Sequence, residues 1–236
     1  MAQLRIVCFG DSVTQGTPHV PIEDAFPALL QRRLSHIGQP HGTTASVINS
    51  GHGGETSAEG LARFETDVEA HDPHIVTVEF GLNDIRWEEH KKTPEEQFAE
   101  NLREIHRRCS DLGARVIFMT PNPIINRLHR SWETDHYADY GGCNQKVAAY
   151  AEVVREVSSQ RNAALCDINQ SFINLAIGEQ FDGACLDYRD LMVLSGYLRR
   201  EDGVHPTVHG QHLIAVELFR TMMHEQMLAH FIPSGP

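Results

Sequence analysis

Apolar and polar positions along the chain fall into two alternating regimes. Short runs rich in Val and Ile, at residues 4–9, 45–49, 75–80, 115–120 and 164–168, are too short for helices and read as strands buried on both faces. Between and after them, residues 26–34, 58–69, 94–112, 143–160 and 207–230 carry apolar side chains three and four apart, the spacing that gathers one apolar stripe on a helix. Five strands alternating with five helices predict an α/β fold with parallel strands joined by crossover helices. Thr93-Pro94-Glu95-Glu96 reads as a helix start, with a threonine N-cap, a proline at N1 and a glutamate at N3. Gly113 reads as the stop of the same helix. Two stretches, 122–142 and 177–201, fit no regular element and lie near strand ends, where long loops shape binding sites.

Composition narrows the function classes. A chain of 236 residues is near the upper limit of one hydrophobic core, so one domain over residues 1–236 is expected. The formal net charge of −12 argues against a phosphate backbone as partner, and no nucleic-acid binding is expected. Cys8, Cys109, Cys143, Cys166 and Cys185 are odd in number and lack C-x-x-C spacing, which predicts free thiols in a reducing compartment. The opening M-A-Q-L-R-I-V-C-F-G enters a strand pattern with no signal-peptide pattern before it, which predicts a cytoplasmic protein. No apolar run reaches the length of a membrane span, so no integral membrane span is expected.

The chemistry-bearing residues sit at the ends of the predicted strands. The first strand ends in Gly10-Asp11-Ser12, a turn that delivers a serine to the carboxyl edge of the sheet, where ligands bind in open α/β folds. Alone, this tripeptide is also an ordinary hydroxyl or Asx turn. Before the last helix stands Asp202-Gly203-Val204-His205-Pro206. A carboxylate three residues from an imidazole can fix its tautomer and leave the other ring nitrogen to take a proton from a serine; the bland reading is a loop turn with a solvated histidine. After the second strand comes the glycine-rich Gly51-His52-Gly53-Gly54-Glu55-Thr56, and after the third Gly81-Leu82-Asn83-Asp84. Each can supply N–H donors to an oxyanion, and each can equally be a loop or a helix cap.

Taken together and in this order, the Gly10-Asp11-Ser12, Gly53-Gly54-Glu55-Thr56, Gly81-Leu82-Asn83-Asp84 and Asp202-Gly203-Val204-His205 segments resemble the SGNH/GDSL hydrolase family across essentially the whole chain. The resemblance implies a three-layer α/β/α sandwich on a flavodoxin-like, five-stranded parallel sheet, with no obligatory cofactor or metal. It implies a serine ester hydrolase with a small-molecule ester substrate and Ser12 as nucleophile. His205 becomes the base, oriented by Asp202, and the oxyanion hole is formed by the Ser12 N–H, the Gly54 N–H and the Asn83 amide. Gly51 and Gly53 are close enough to shift the register of the glycine, and the Glu-Thr that follows favours Gly54. The family acts on lipids, thioesters and acetylated carbohydrates. The interleaved polar and aromatic residues of 122–142, with Trp132, Tyr137 and Tyr140, and Trp87 before them, suit a short acyl group on a polar, carbohydrate-like alcohol. A lysophospholipase or acyl thioesterase is the alternative.

Two other classes compete. His205, His209 and His212 follow one another at four and three residues, a spacing from which a zinc hydrolase could draw ligands. Pro206 favours ending the loop at His205, and His209 then reads as a helix-surface residue. A non-catalytic binding module on the same fold is the second competitor, and it would be marked by loss of Ser12, Asn83 or His205, all of which are present.

Overall fold

In the computed structural model of the protein, residues 3–128, 135–177 and 196–232 are described. The strands β1 (Gln3–Gly10), β2 (Thr44–Gly51), β3 (Ile75–Glu79), β4 (Arg115–Met119) and β5 (Ala164–Cys166) form one sheet in the order β2-β1-β3-β4-β5. Every pairing is parallel. The predicted strands are all present. The fifth is shorter than expected, because Ile168 already opens a helix, α7 (Ile168–Ile177), that periodicity did not signal.

Helices cover both faces. The crossover helix α2 (Phe26–Gly38) packs beside α8 (Val208–His224) on one side, while α3 (Ser57–Ala62), α5 (Glu95–Asp111) and α6 (Cys143–Arg161) line up on the other. The result is a three-layer α/β/α sandwich in the flavodoxin-like strand order. Its core is a continuous set of aliphatic and aromatic side chains from both faces, with Phe9 edge-on to both Phe64 and Phe80. Cys8, Cys109, Cys143 and Cys166 are buried free thiols, as expected; Cys185 lies outside the described residues. No helix among the described residues is long and apolar enough to cross a membrane.

Three local expectations are corrected. The helix predicted over 58–69 is two pieces, α3 and α4 (Phe64–Asp67), broken at Arg63. The Arg63 guanidinium bonds the carbonyls of Gly10 and Ser50 at the strand ends and the carboxylates of Glu55 and Asp67, so the chain leaves helical geometry where this side chain turns back to the sheet. The predicted Thr93 capping box does not form. Pro94 occupies the N-cap with no side-chain bond, because the Thr93 backbone is taken up by the Asp84 carbonyl and the Tyr150 hydroxyl. The capping box is instead Thr56 with Glu59, opening α3. The last helix stops at His224 rather than 230: Gln226 turns left-handed, with φ 52°, and the chain folds back to bury Leu228 and Phe231. Gly113, with φ 74°, closes the turn after α5 as expected.

The sheet order fixes where chemistry can occur. Connections leave β1 and β3 toward opposite sides, so a crevice opens between their carboxyl ends. The four-residue turn α1 (Ser12–Gln15) sits directly there, and the end of β2 packs under it. A Cβ at Gly51 would lie 2.1 Å from the backbone N of Gln15 and 2.6 Å from the carbonyl carbon of Thr14. Gly51→Ala is therefore expected to destabilise the fold by about 3 kcal/mol through overpacking against rigid backbone, a fall of roughly 6–12 °C in Tm for a chain of this size. A thermal melt within 2 °C of wild type, on the order of the noise for a neutral change, would show that α1 is free to lift away.

Candidate active site

Gly10 ends β1, and Asp11 leaves the strand with its carboxylate turned back over the next turn, where Oδ1 accepts the Val13 N–H at 2.9 Å. This caps α1 and points Ser12 toward the crevice. At the other end of the chain, the loop before α8 is held by antiparallel contacts between its two limbs: Arg199 N–H donates to the His205 carbonyl and Thr207 N–H to the Tyr197 carbonyl. Gly203 makes the bend with φ 67°. Asp202 Oδ1 accepts the backbone N–H groups of Val204 and His205, at 2.8 and 2.9 Å.

The fold brings these distant segments together. Ser12 Oγ lies 3.0 Å from His205 Nε2, across 193 positions of sequence, and His205 Nδ1 lies 3.0 Å from Asp202 Oδ2. A carboxylate only accepts, so Nδ1 carries the proton and donates to Asp202; Nε2 is left with the lone pair that accepts the Ser12 hydroxyl. Burial opposes ionisation of Asp202. The His205 ring and the two backbone N–H groups outweigh it and hold the carboxyl well below the usual carboxylate range.

A cavity of about 410 Å³ opens over this arrangement, with Ser12, Gly53, Gly54, Asn83, Arg86 and His205 among its walls. Gly54 stands in the left-handed region, at φ 79°, with open space where a Cβ would be. Lys91 Nζ donates to the Gly54 carbonyl at 3.1 Å and also to Glu59, tying the glycine turn to the start of α3. Gly51 is removed from consideration as an oxyanion donor, since its N–H is spent on Asn49 Oδ1 at 3.0 Å. Asn83 lies in a turn over residues 81–85 that leads into no helix, so it caps nothing. One of its Nδ2 protons goes to Asp11 Oδ2 at 3.1 Å. The neighbouring Asp84 turns the other way and accepts the N–H and hydroxyl of Ser57 at the head of α3.

Several site residues escaped sequence reasoning. His19 stacks on His205 with ring centroids 3.4 Å apart and an interplanar angle of 11°. Burial lowers the His19 pKa to about 4, with His205 and Arg199 acting in the same direction against Asp202, so this ring is neutral around pH 7. Glu79, at the end of β3, is buried beneath Asp11. A carboxylate closing the run Ile75-Val76-Thr77-Val78 was the visible signal for it. Nothing local marked His19 or Lys91.

The metal reading can be tested on the same geometry. Among the described residues, His19, Asp202 and His205 are the cluster whose ligand atoms converge, within 4.8 Å of one another. Their rings are nearly parallel, so their in-plane lone pairs do not meet at one ion, and both nitrogens of His205 already have partners. His209 and His212 are exposed on α8 and do not join His205. Of the aromatic residues noted in sequence, Tyr137 is buried at the cavity wall, Tyr140 bonds Glu95, and Trp87, 44 % exposed, stacks on His136. Trp132 lies outside the described residues.

The GDSL-like Lipase/Acylhydrolase family matches residues 8–213. The chain belongs to that family. It is similar to the lipoprotein YqeF of Bacillus subtilis, at 28% identity over 190 residues, 77% of each chain. It is also similar to an arylesterase of Vibrio mimicus, at 32% identity over 118 residues, which cover 50% of this chain and 54% of that one. Among solved structures, Axe2, an acetylxylan esterase from Geobacillus stearothermophilus, superposes with a TM-score of 0.69 at 20% identity, covering 93% of this chain and 94% of that one. This GDSL-family protein is an ester-bond hydrolase with a catalytic serine.

Proposed function

We propose that the protein hydrolyses esters through an acyl-enzyme on Ser12. In this reading His205 takes the Ser12 proton as Oγ attacks the ester carbonyl, and returns it to the departing alcohol; water then releases the acyl group by the same route. Asp202 fixes the His205 tautomer and stabilises the imidazolium that forms. The Ser12 N–H, the Gly54 N–H and the second Asn83 Nδ2 proton receive the oxyanion. The observation that carries the reading is the 3.0 Å contact of Ser12 Oγ with His205 Nε2, backed by the 3.0 Å contact of Nδ1 with Asp202.

The substrate we infer is a short acyl ester, acetyl in the simplest case, of a polar, carbohydrate-like alcohol. The cavity, about 410 Å³, falls toward the small end of ligand sites. Its walls carry Gln15, Thr17, Arg86, Glu88 and Glu201 around a few aliphatic side chains. A long acyl chain needs a continuous apolar channel, since each buried methylene contributes only about 0.8 kcal/mol. The names of the relatives, an arylesterase and acetylxylan esterases, support the same range. Catalytic efficiency on p-nitrophenyl acetate, butyrate, octanoate and palmitate is expected to peak at acetate or butyrate. A maximum at octanoate or longer would move a lysophospholipase or thioesterase role to first place.

A further inference from the structure

Beneath the site lies a pair of carboxyls that the proposed chemistry does not use. Asp11 and Glu79 are 0% and 2% exposed, on the adjacent strand ends of β1 and β3, where the Asp11 N–H also donates to the Glu79 carbonyl. Asp11 accepts on both oxygens, from Val13 N–H through Oδ1 and from Asn83 Nδ2 through Oδ2. Glu79 Oε2 accepts the Thr14 hydroxyl at 3.1 Å, while Oε1 is buried with no donor to satisfy it. The pairing of β1 with β3 seats the two buried carboxyl groups side by side, close enough that each acts on the ionisation of the other.

Two carboxylates in contact and out of water repel, and the contact becomes attractive only when one of them holds a proton. The hydrogen-bond pattern says which one. Asp11 serves two N–H donors as a carboxylate does, whereas Glu79 has an oxygen that no donor reaches. We propose that Glu79 is a neutral carboxylic acid whose O–H donates to the Asp11 carboxylate, and that this bond holds Asn83 through Asp11 in the pose that receives the oxyanion. Burial and the Asp11 charge both push the Glu79 pKa well above the ordinary carboxyl value, while Asp11, raised by burial to about 6, remains charged at neutral pH. A positive charge on His205, of the kind formed during turnover, favours the Asp11 carboxylate, and the Asp11 charge in turn adds to burial in raising the pKa of Asp84.

Glu79 is thus a positioning residue: it touches no substrate and acts through Asp11. Because Asp11 also caps the turn that carries Ser12, nucleophile and oxyanion amide share one buried anchor. The inference rests on Asn83 being an oxyanion donor, and its test separates the two. Infrared spectra of the wild-type protein at neutral pH are expected to contain the carbonyl stretch of a protonated carboxylic acid, lost in Glu79→Gln. The glutamine can still accept from Thr14 and donate to Asp11, so Glu79→Gln should keep a kcat close to wild type. Glu79→Ala should lower kcat about tenfold to hundredfold, the scale of a misplaced catalytic group, with little change in KM, and should cost much less when Asn83→Ala is already present. No protonated-acid band in the wild type, or a Glu79→Gln as impaired as Glu79→Ala, would overturn the proposal. Full additivity of Glu79→Ala and Asn83→Ala would overturn the link to Asn83. An Asn83→Ala with wild-type kcat would instead sink the oxyanion reading, and the infrared band would still report the shared proton.

Discussion

Ser12→Ala is expected to lower kcat by on the order of 10⁴- to 10⁶-fold while the protein stays folded. The size follows from the way a nucleophile, its base and the base's orienter act as a unit: losing one member costs nearly as much as losing all, and what survives comes from binding and the oxyanion donors. Folding should be spared because, among the described residues, the Ser12 side chain bonds only the His205 ring, while the turn it sits in is capped by Asp11 and clamped by Gln211, whose Nε2 donates to the Val13 carbonyl. Treatment of the wild-type protein with a fluorophosphonate should add one adduct by intact mass, and peptide mapping should place it on Ser12. An adduct on Ser57 or another serine would show that the assignment is wrong. Exhaustive chelation should leave activity intact, an outcome that a hydrolase using His205 as a zinc ligand could not give.

Asn83→Ala is expected to lower kcat roughly a hundred- to thousandfold, the about 2.7–4 kcal/mol that one oxyanion donor contributes when charge develops on the substrate oxygen. KM should change little, because the donor is aimed at the transition state rather than the ground-state carbonyl. The melting temperature should also hold, since the half-buried side chain caps no helix and has Asp11 as its one bonded partner among the described contacts. Near-wild-type turnover, or loss of stability as the main effect, would assign Asn83 a structural role. The comparison with Glu79→Ala is informative here: both act on the same donor, one by removing it and one by loosening its anchor.

How far the sequence reaches depends on the range of the interaction. The Val- and Ile-rich runs at 75–80 and 115–120 need no tertiary knowledge to be read as buried strands, because a parallel strand covered on both faces has no polar alternation to hide it. The α/β class follows from their alternation with helical periods. Ser12, Asn83, Asp202 and His205 were legible because each stands in a short motif at a strand end or before the last helix, where chemistry and local backbone coincide. The break at Arg63 and the loss of the Thr93 cap were not legible. In both cases a local preference lost to a partner elsewhere in the sheet or helix layer: the Gly10 and Ser50 carbonyls for Arg63, and Asp84 and Tyr150 for Thr93.

The same division runs through the site. The sequence by itself determined which reactive side chains exist and that they fall at sheet edges. Only the tertiary structure decided how their polar atoms are matched, because the strand order β2-β1-β3-β4-β5 puts Glu79 against Asp11 and lets residues 19 and 205 stack. Buried polar groups must find partners wherever the fold supplies them, and a linear pattern of residue types carries no record of which strand ends become neighbours.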